Sequence, residues 1–175
     1  EFRFYLEKVN LFMEFEPKGV IVAKEADKIA GFIIVTKDIS NLIKNAFLRG
    51  YIFRWFMDTV RGRFGLNLVM KKKIIRFLIS LFFLPIFIII HSKVAKAKIV
   101  AIIVAEEKRN LGIGKSLIDK TMQYLRENNI KSVSVTVQIN NLLALKFYQN
   151  YDFFISGKCI ESTGKSLILT KYLNN

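Results

Sequence analysis

The chain of 175 residues is 52% hydrophobic and 24% charged, which suits one domain with its own core and excludes disorder and collagen. Its 28 Lys and Arg against 14 Asp and Glu leave a formal charge of +14, a balance that calls for an acidic partner such as a phosphate, a nucleic acid or an anionic lipid surface. A lone Cys159 and a lone His91 exclude an internal disulfide and leave too few soft ligands for zinc, so no metal is expected.

These counts point to a reducing, cytoplasmic setting. The first residues lack the charged, apolar and small-residue order of a signal peptide and lack an initiator Met, so the expectation is a cytoplasmic chain clipped at its N-terminus. The charge is uneven. Residues 1–36 sum to −1, residues 37–98 to +11 and residues 99–175 to +4.

Phe2, Tyr5, Leu6, Val9, Phe12 and Met13 recur at three- and four-residue spacing, which predicts a helix with one apolar face, ended by Glu16-Pro17-Lys18-Gly19. The apolar runs Val20–Ala23 and Ile29–Val35, separated by polar Lys24–Lys28, predict an antiparallel hairpin. From Lys37 to Lys98 basic residues are scattered through long apolar stretches, with Gly50, Gly62 and Gly65 as breaks, and helices are expected. Ile99–Val104 is unbroken and apolar, the pattern of a central strand buried on both faces. A glycine turn and a helix to about Arg126 follow, with Ile118, Met122 and Leu125 on one side. Ser132–Val137, rich in Val and Thr, predicts a strand. Asn141–Asn150 reads as a helix, and 153–160 with 166–172 as a last hairpin.

Between the buried strand and the amphipathic helix runs Val104-Ala105-Glu106-Glu107-Lys108-Arg109-Asn110-Leu111-Gly112-Ile113-Gly114-Lys115-Ser116. A strand that turns tightly into a helix aims unpaired backbone N–H groups and the positive end of the helix dipole at one point, and that point binds phosphate. Gly112 and Gly114 let the backbone approach a pyrophosphate, and Arg109 and Lys115 add charge. The plain alternative is an ordinary strand-to-helix loop. Two nucleotide fingerprints fail: the dinucleotide motif wants a third glycine where Leu117 stands, and the mononucleotide loop wants a glycine where Arg109 stands.

The residues resemble the GNAT superfamily of acetyl-CoA-dependent N-acetyltransferases. Arg109, Gly112 and Gly114 meet its central motif, and Asn141-Leu142-Leu143-Ala144-Leu145-Lys146-Phe147-Tyr148 followed by Asp152-Phe153 is similar to its second pattern. The likeness covers residues 99–175 and, more weakly, 20–35. It implies an α/β fold: a mixed, mostly antiparallel sheet flanked by helices, with a helical insertion at 37–98 between the family's third and fourth core strands, all in one domain. It also implies acetyl-CoA as co-substrate and a small-molecule amine as acceptor. The N–H groups of Asn110, Leu111, Gly112, Ile113, Gly114 and Lys115 would hold the pyrophosphate. The splayed strand end at Val104 would pair with the pantetheine arm, and Asn141 would act as helix cap and cofactor contact. Tyr148 would protonate the departing thiolate; its alternative is a core aromatic beside Ala144, Phe147 and Tyr151.

Three departures from the family pattern stand out. Asp152 occupies a glycine position, the strand at 99–104 carries no carboxylate to act as base, and the family's first strand and helix are not seen ahead of residue 1. Glu106 and Glu107 read as solvated turn residues, and His91 reaches the site only if the insertion folds over it. The base is unassigned, with a water-mediated route as one option.

From Phe77 to Ile90 only Ser80 and Pro85 interrupt an apolar run, with Lys71–Lys73 before it and Lys93, Lys96 and Lys98 after it. A membrane crossing would part the hairpin from the glycine motif, which must share one sheet, and Arg76 and Pro85 leave the run short of the roughly 20 residues a span needs. The expectation is a helical insertion lying on an anionic membrane surface or against a lipid-bearing substrate, with Tyr51, Trp55 and Phe56 at the interface and the protein peripheral at the inner face of the membrane. The alternative is a helical lid or homodimer surface. Nucleic acid fits less well, because the basic residues are embedded in Ile, Leu and Phe. An amino sugar or another envelope precursor is the expected acceptor, against a catalytically degenerate CoA-binding module that docks through its insertion.

Overall fold

The computed structural model describes residues 2–51, 53, 54, 57, 95–161 and 164–173, with side chains from residue 9 onward. In chain order these form α1 (Phe2–Phe15), a single tight turn of helix at Pro17–Gly19, β1 (Val20–Glu25), β2 (Lys28–Thr36), α2 (Ile39–Leu48), β3 (Ala97–Val104), a second tight turn at Glu106–Lys108, α3 (Ile113–Glu127), β4 (Ser132–Gln138), α4 (Leu142–Gln149), β5 (Phe154–Glu161) and β6 (Gly164–Tyr172). The strands make one sheet in the order β1-β2-β3-β4-β6-β5. Neighbours are antiparallel except β3 and β4, which are parallel and joined through α3, as a strand–helix–strand crossover requires. The connection that holds the basic apolar segment runs from β2 to β3, the second and third strands described.

Each face of the sheet has its own cluster. The inner face packs Ile33, Val35, Ile99, Val133, Val135 and Leu169 against Leu117, Ile118, Met122 and Leu125 of α3 and Tyr148 of α4. The spacing of these α3 residues sets one helix stripe toward the sheet. On the outer face, Phe12 of α1 and Leu42 of α2 close over Ile34. So the first helix of the presumed insertion is tied into the core. It starts at Asp38, whose carboxylate accepts from the Asn41 N–H at 2.9 Å, a helix cap worth about 1 kcal/mol. The Ile39 N–H donates to the Lys96 carbonyl at 3.0 Å, which brings the two ends of the connection together.

β3 corrects one expectation. It is central, yet it is not covered on both faces: Val100 is 37% and Ile103 52% exposed. The cause is local. Ile34 pairs with Ala101 but Val35 with Ile99, so Val100 is an extra residue in the ladder, a bulge that shifts the inward positions from Ala97 and Ile99 to Ile102 and Val104. The hairpin turn is also shorter than expected, because Lys24, Glu25 and Lys28 join the strands and leave Ala26-Asp27 to turn, with Ala26 at φ +51°.

Glu16, beyond α1, links three elements. Its carboxylate accepts from the Thr36 hydroxyl at 2.5 Å, the Lys37 N–H at 3.0 Å and the Tyr124 hydroxyl at 3.0 Å. Burial, together with the Glu16 charge and hydrogen bond, pushes the Tyr124 phenol well above its ordinary value. The cluster fastens α1 and β2 to the last turns of α3.

Ser166 Oγ on β6 is buried without a hydrogen-bond partner among the described residues. A buried hydroxyl left unpaired costs about 1–3 kcal/mol. Ser166→Ala should therefore raise stability by roughly 1 kcal/mol, read as a thermal midpoint about 2–4 °C higher. A lower midpoint would mean that the hydroxyl has a role in the folded state.

The run 77–90, Lys71–Lys73, Trp55, Phe56, His91, Gly62 and Gly65 lie outside the described residues. Tyr51 does not: its ring meets Phe15 of α1 edge-on at 6.0 Å. That contact ties this residue of the connection to α1. Among the described residues no helix is long and apolar enough to cross a membrane.

Candidate active site

β3 and β4 pair only at Ala97–Val133, Lys98–Ser134 and Ile99–Val135. Beyond Ile99 the two strands are not bonded to each other, although both continue, to Val104 and Gln138. The sheet is split there, with the bulge at Val100 beside the start of the split. Neither the bulge nor the extent of pairing leaves a residue signature in an all-apolar strand.

The split leads to the loop that sequence reasoning singled out. Ala105 N–H donates to the Ala30 carbonyl at 2.9 Å, and Lys108 Nζ pairs with Glu25 at 2.6 Å, so the β1–β2 hairpin braces the start of the loop. Glu25 raises the Lys108 pKa, through its hydrogen bond first and its charge second. Asn110 and Gly112 both have left-handed backbone, at φ +64° and +78°. The first helical bond of α3 is Ser116 N–H to the Gly112 carbonyl at 3.0 Å. None of the N–H groups from Asn110 to Lys115 donates to a backbone or side-chain oxygen among the described residues, and no side chain caps α3. Ile113, Gly114 and Lys115 are the first-turn donors that any helix leaves free, and together with those of the preceding loop they suit an anion at the helix start.

The individual side chains add detail. Arg109 is exposed and only loosely paired with Glu106 at 3.8 Å, a contact of little energy that leaves the guanidinium available. Glu106 and Glu107 are exposed in the tight turn, as expected. Leu111 and Lys115 are exposed. Gly114 also meets a packing demand. Its backbone does not require glycine, but a Cβ there would lie 3.3 Å from the Phe147 ring, so this glycine admits close packing of α4 on α3. Gly112 is different: space around its Cβ is open and only its φ is demanding.

Asn141 caps α4, its side-chain oxygen accepting from the Ala144 N–H at 3.1 Å. Tyr148, on that helix, is 3% exposed, with its ring edge-on to Phe147 at 5.3 Å and to Phe153 at 5.2 Å. Its hydroxyl has no partner among the described residues. Desolvation pushes the phenol well above its ordinary value. The ring is thus a core aromatic while the hydroxyl is uncommitted, so the two readings of Tyr148 are compatible.

Asp152 keeps the turn that glycine would make. It adopts φ +59° and its carboxylate meets Lys171 Nζ at 3.1 Å, while the same ammonium donates to the Tyr151 carbonyl at 2.7 Å. Left-handed backbone costs most side chains about 1 kcal/mol or more. Asp152→Ala should cost about 1–2 kcal/mol in thermal unfolding and Asp152→Gly much less. Equal losses would place the energy in the ion pair instead of the backbone.

Comparison with known proteins decides the relationship. Residues 2–153 match the family model described as acetyltransferase (GNAT) family. The chain belongs to the GNAT acetyltransferase family. Solved structures agree on the GNAT fold. Ard1 from Thermoplasma volcanium is similar with a TM-score of 0.60 at 18% identity, over 95% of this chain and 78% of that one. The NatC complex bound to Gag peptide and CoA gives 0.59 at 12%, over 95% and 78%. The ribosomal-protein-S18-alanine N-acetyltransferase from Escherichia coli gives 0.53 at 11%, over 95% and 77%. No curated protein matches the chain. Membership of the GNAT family supports acetyl transfer from acetyl-CoA, and the described residues hold no group of three or more His, Cys, Asp and Glu that would bind a metal ion.

Proposed function

We propose that the chain transfers the acetyl group of acetyl-CoA to a primary amine. The observation that carries this reading is the run of N–H groups Asn110–Lys115, without a hydrogen-bond partner among the described residues, at the end of β3 where it parts from β4. The residues present suit acetyl-CoA: the N–H run and the nearby Arg109 and Lys115 would hold its pyrophosphate, the free edge of β3 toward Val104 would pair with its amide-bearing arm, and Asn141 would stand beside it. When bound, acetyl-CoA supplies the thioester whose acyl carbon accepts the amine. The amine nitrogen bonds that carbon, the C–S bond breaks, and the thiolate takes a proton. Tyr148 supports the last step. Burial makes its phenol a weaker acid than free tyrosine, but the same desolvation raises the basicity of a thiolate formed beside it, so the donor and acceptor stay matched. The proton lost by the amine leaves through solvent, since β3 offers no carboxylate.

Acetyl-CoA binding by calorimetry, followed by free-thiol release with a panel of primary amines, tests the proposal. Binding without turnover would favour the CoA-binding module, and no binding would end both readings.

The sequence of the connection supports a peripheral membrane role in addition. Lys71–Lys73, Arg76, Lys93, Lys96 and Lys98 flank the longest apolar run, and each basic residue near an anionic leaflet is worth about 1 kcal/mol. The protein should cosediment with anionic liposomes at low salt, lose part of that binding at high salt, and bind neutral liposomes weakly. If it stays in the supernatant with anionic liposomes at low salt, the connection serves as a lid or dimer surface.

A further inference from the structure

The outer face of the sheet beside the split has a composition that bears on the acceptor. Val22 pairs with Phe32 and Phe32 with Ile103, so the three stand in one row across β1, β2 and β3. Ile102 and Val104 pack on the inner cluster, which turns Ile103 outward between them. In the neighbouring row, Val20 and Ile34 are part of the cluster closed by Phe12 and Leu42. The row Val22–Phe32–Ile103 is less covered at its two ends: Phe32 packs against the same cluster, but Val22 is 37% and Ile103 52% exposed, and Ile103 lies on the part of β3 that is free of β4.

On the inner face α3 and α4 contribute to the core cluster, with Leu117 and Tyr148 buried in it. An amine that reaches a thioester in the split therefore comes from the outer side. The outward positions beside the unpaired stretch are Phe32, Ala101 and Ile103 on one flank and Thr136 and Gln138 on the other, none of them ionisable, with Lys98 at the foot of the split where the strands are still paired. A polyhydroxylated or charged acceptor would lose hydration against the first flank without regaining hydrogen bonds, whereas an apolar group would gain from leaving water.

We propose that the acceptor is a primary amine carrying an apolar, alkyl or aryl, group, which lies on the row Val22–Phe32–Ile103 while the nitrogen enters the split. This rests on the acetyl-transfer reading above. The reaction balances as before: an N–C bond forms, the C–S bond breaks, and one amine proton is exchanged for the proton taken by the CoA thiolate.

The test uses the full chain with acetyl-CoA and four probe amines, 2-phenylethylamine and hexylamine against ethanolamine and glucosamine, with free thiol as the readout. The expected kcat/KM for the two apolar amines is at least about tenfold above that for the two polar ones, the scale on which hydrophobic pockets discriminate. Ile103→Ser should remove most of this preference with acetyl-CoA Kd unchanged by calorimetry. Val22→Ser, on a different strand, should weaken it in the same direction and guards against a local disturbance at Val104. Glucosamine or ethanolamine as the better substrate, or a preference untouched by both variants, overturns the inference and leaves acetyl transfer standing. Acetyl-CoA binding with none of the four amines acetylated overturns it in favour of the CoA-binding module. Absence of acetyl-CoA binding overturns the acetyl-transfer reading and this inference together.

Discussion

Replacing Tyr148 by phenylalanine is expected to lower kcat for acetyl transfer about 10²-fold or more, with little change in acetyl-CoA affinity. The ring contacts to Phe147 and Phe153 survive the change, and the hydroxyl removed has no hydrogen-bond partner among the described residues, so the fold loses nothing. The thermal midpoint should hold or rise slightly. Because burial holds the phenol above its ordinary value of about 10, the group keeps its proton to higher pH, and the wild-type kcat should show no alkaline fall from Tyr148 below that value. A loss of stability with kcat intact would make Tyr148 a core residue alone.

Most of the order of elements was legible because each strand or helix has its own period. The α3 stripe of Ile118, Met122 and Leu125, the alternation in Ser132–Val137, and the cap Asn141 are local signals, and local signals survive folding. The glycine loop was legible for a different reason: a turn between an apolar strand and an amphipathic helix can be recognised without knowing what surrounds it. What failed was what depends on neighbours. An unbroken apolar run such as Ile99–Val104 has the same composition whether two faces are covered or one, and the bulge at Val100 exists only in relation to Ile34 and Val35. Gly114 shows the same limit. Two glycines one residue apart read as a pair with one purpose, but Gly112 answers a backbone demand and Gly114 a contact with Phe147, thirty-three positions along the chain. The cluster around Glu16 was invisible for the same reason, since its partners, Thr36 with Lys37 and then Tyr124, come from two distant stretches.

The difference between the two glycines sets the second large effect. Gly112→Val is expected to weaken acetyl-CoA binding by several kcal/mol, the order of losing two or three charge-assisted hydrogen bonds. At φ +78° a β-branched residue is strained, so the loop would relax toward negative φ and turn the N–H groups of residues 110–115 away from a common point. No neighbour lies within 4 Å of the added Cβ, so the packed core is not struck, and the loss should fall on the cofactor more than on the fold. Gly114→Val reverses that balance. Its side chain meets the Phe147 ring, pushes α4 from α3, and should lower the thermal midpoint as well as the affinity, with Tyr148 displaced on the same helix. Calorimetry and thermal unfolding on the two variants separate the cases. Acetyl-CoA affinity unchanged in Gly112→Val would remove the pyrophosphate from this loop, whereas equal losses of stability in both variants would mean that Gly112 serves the fold alone.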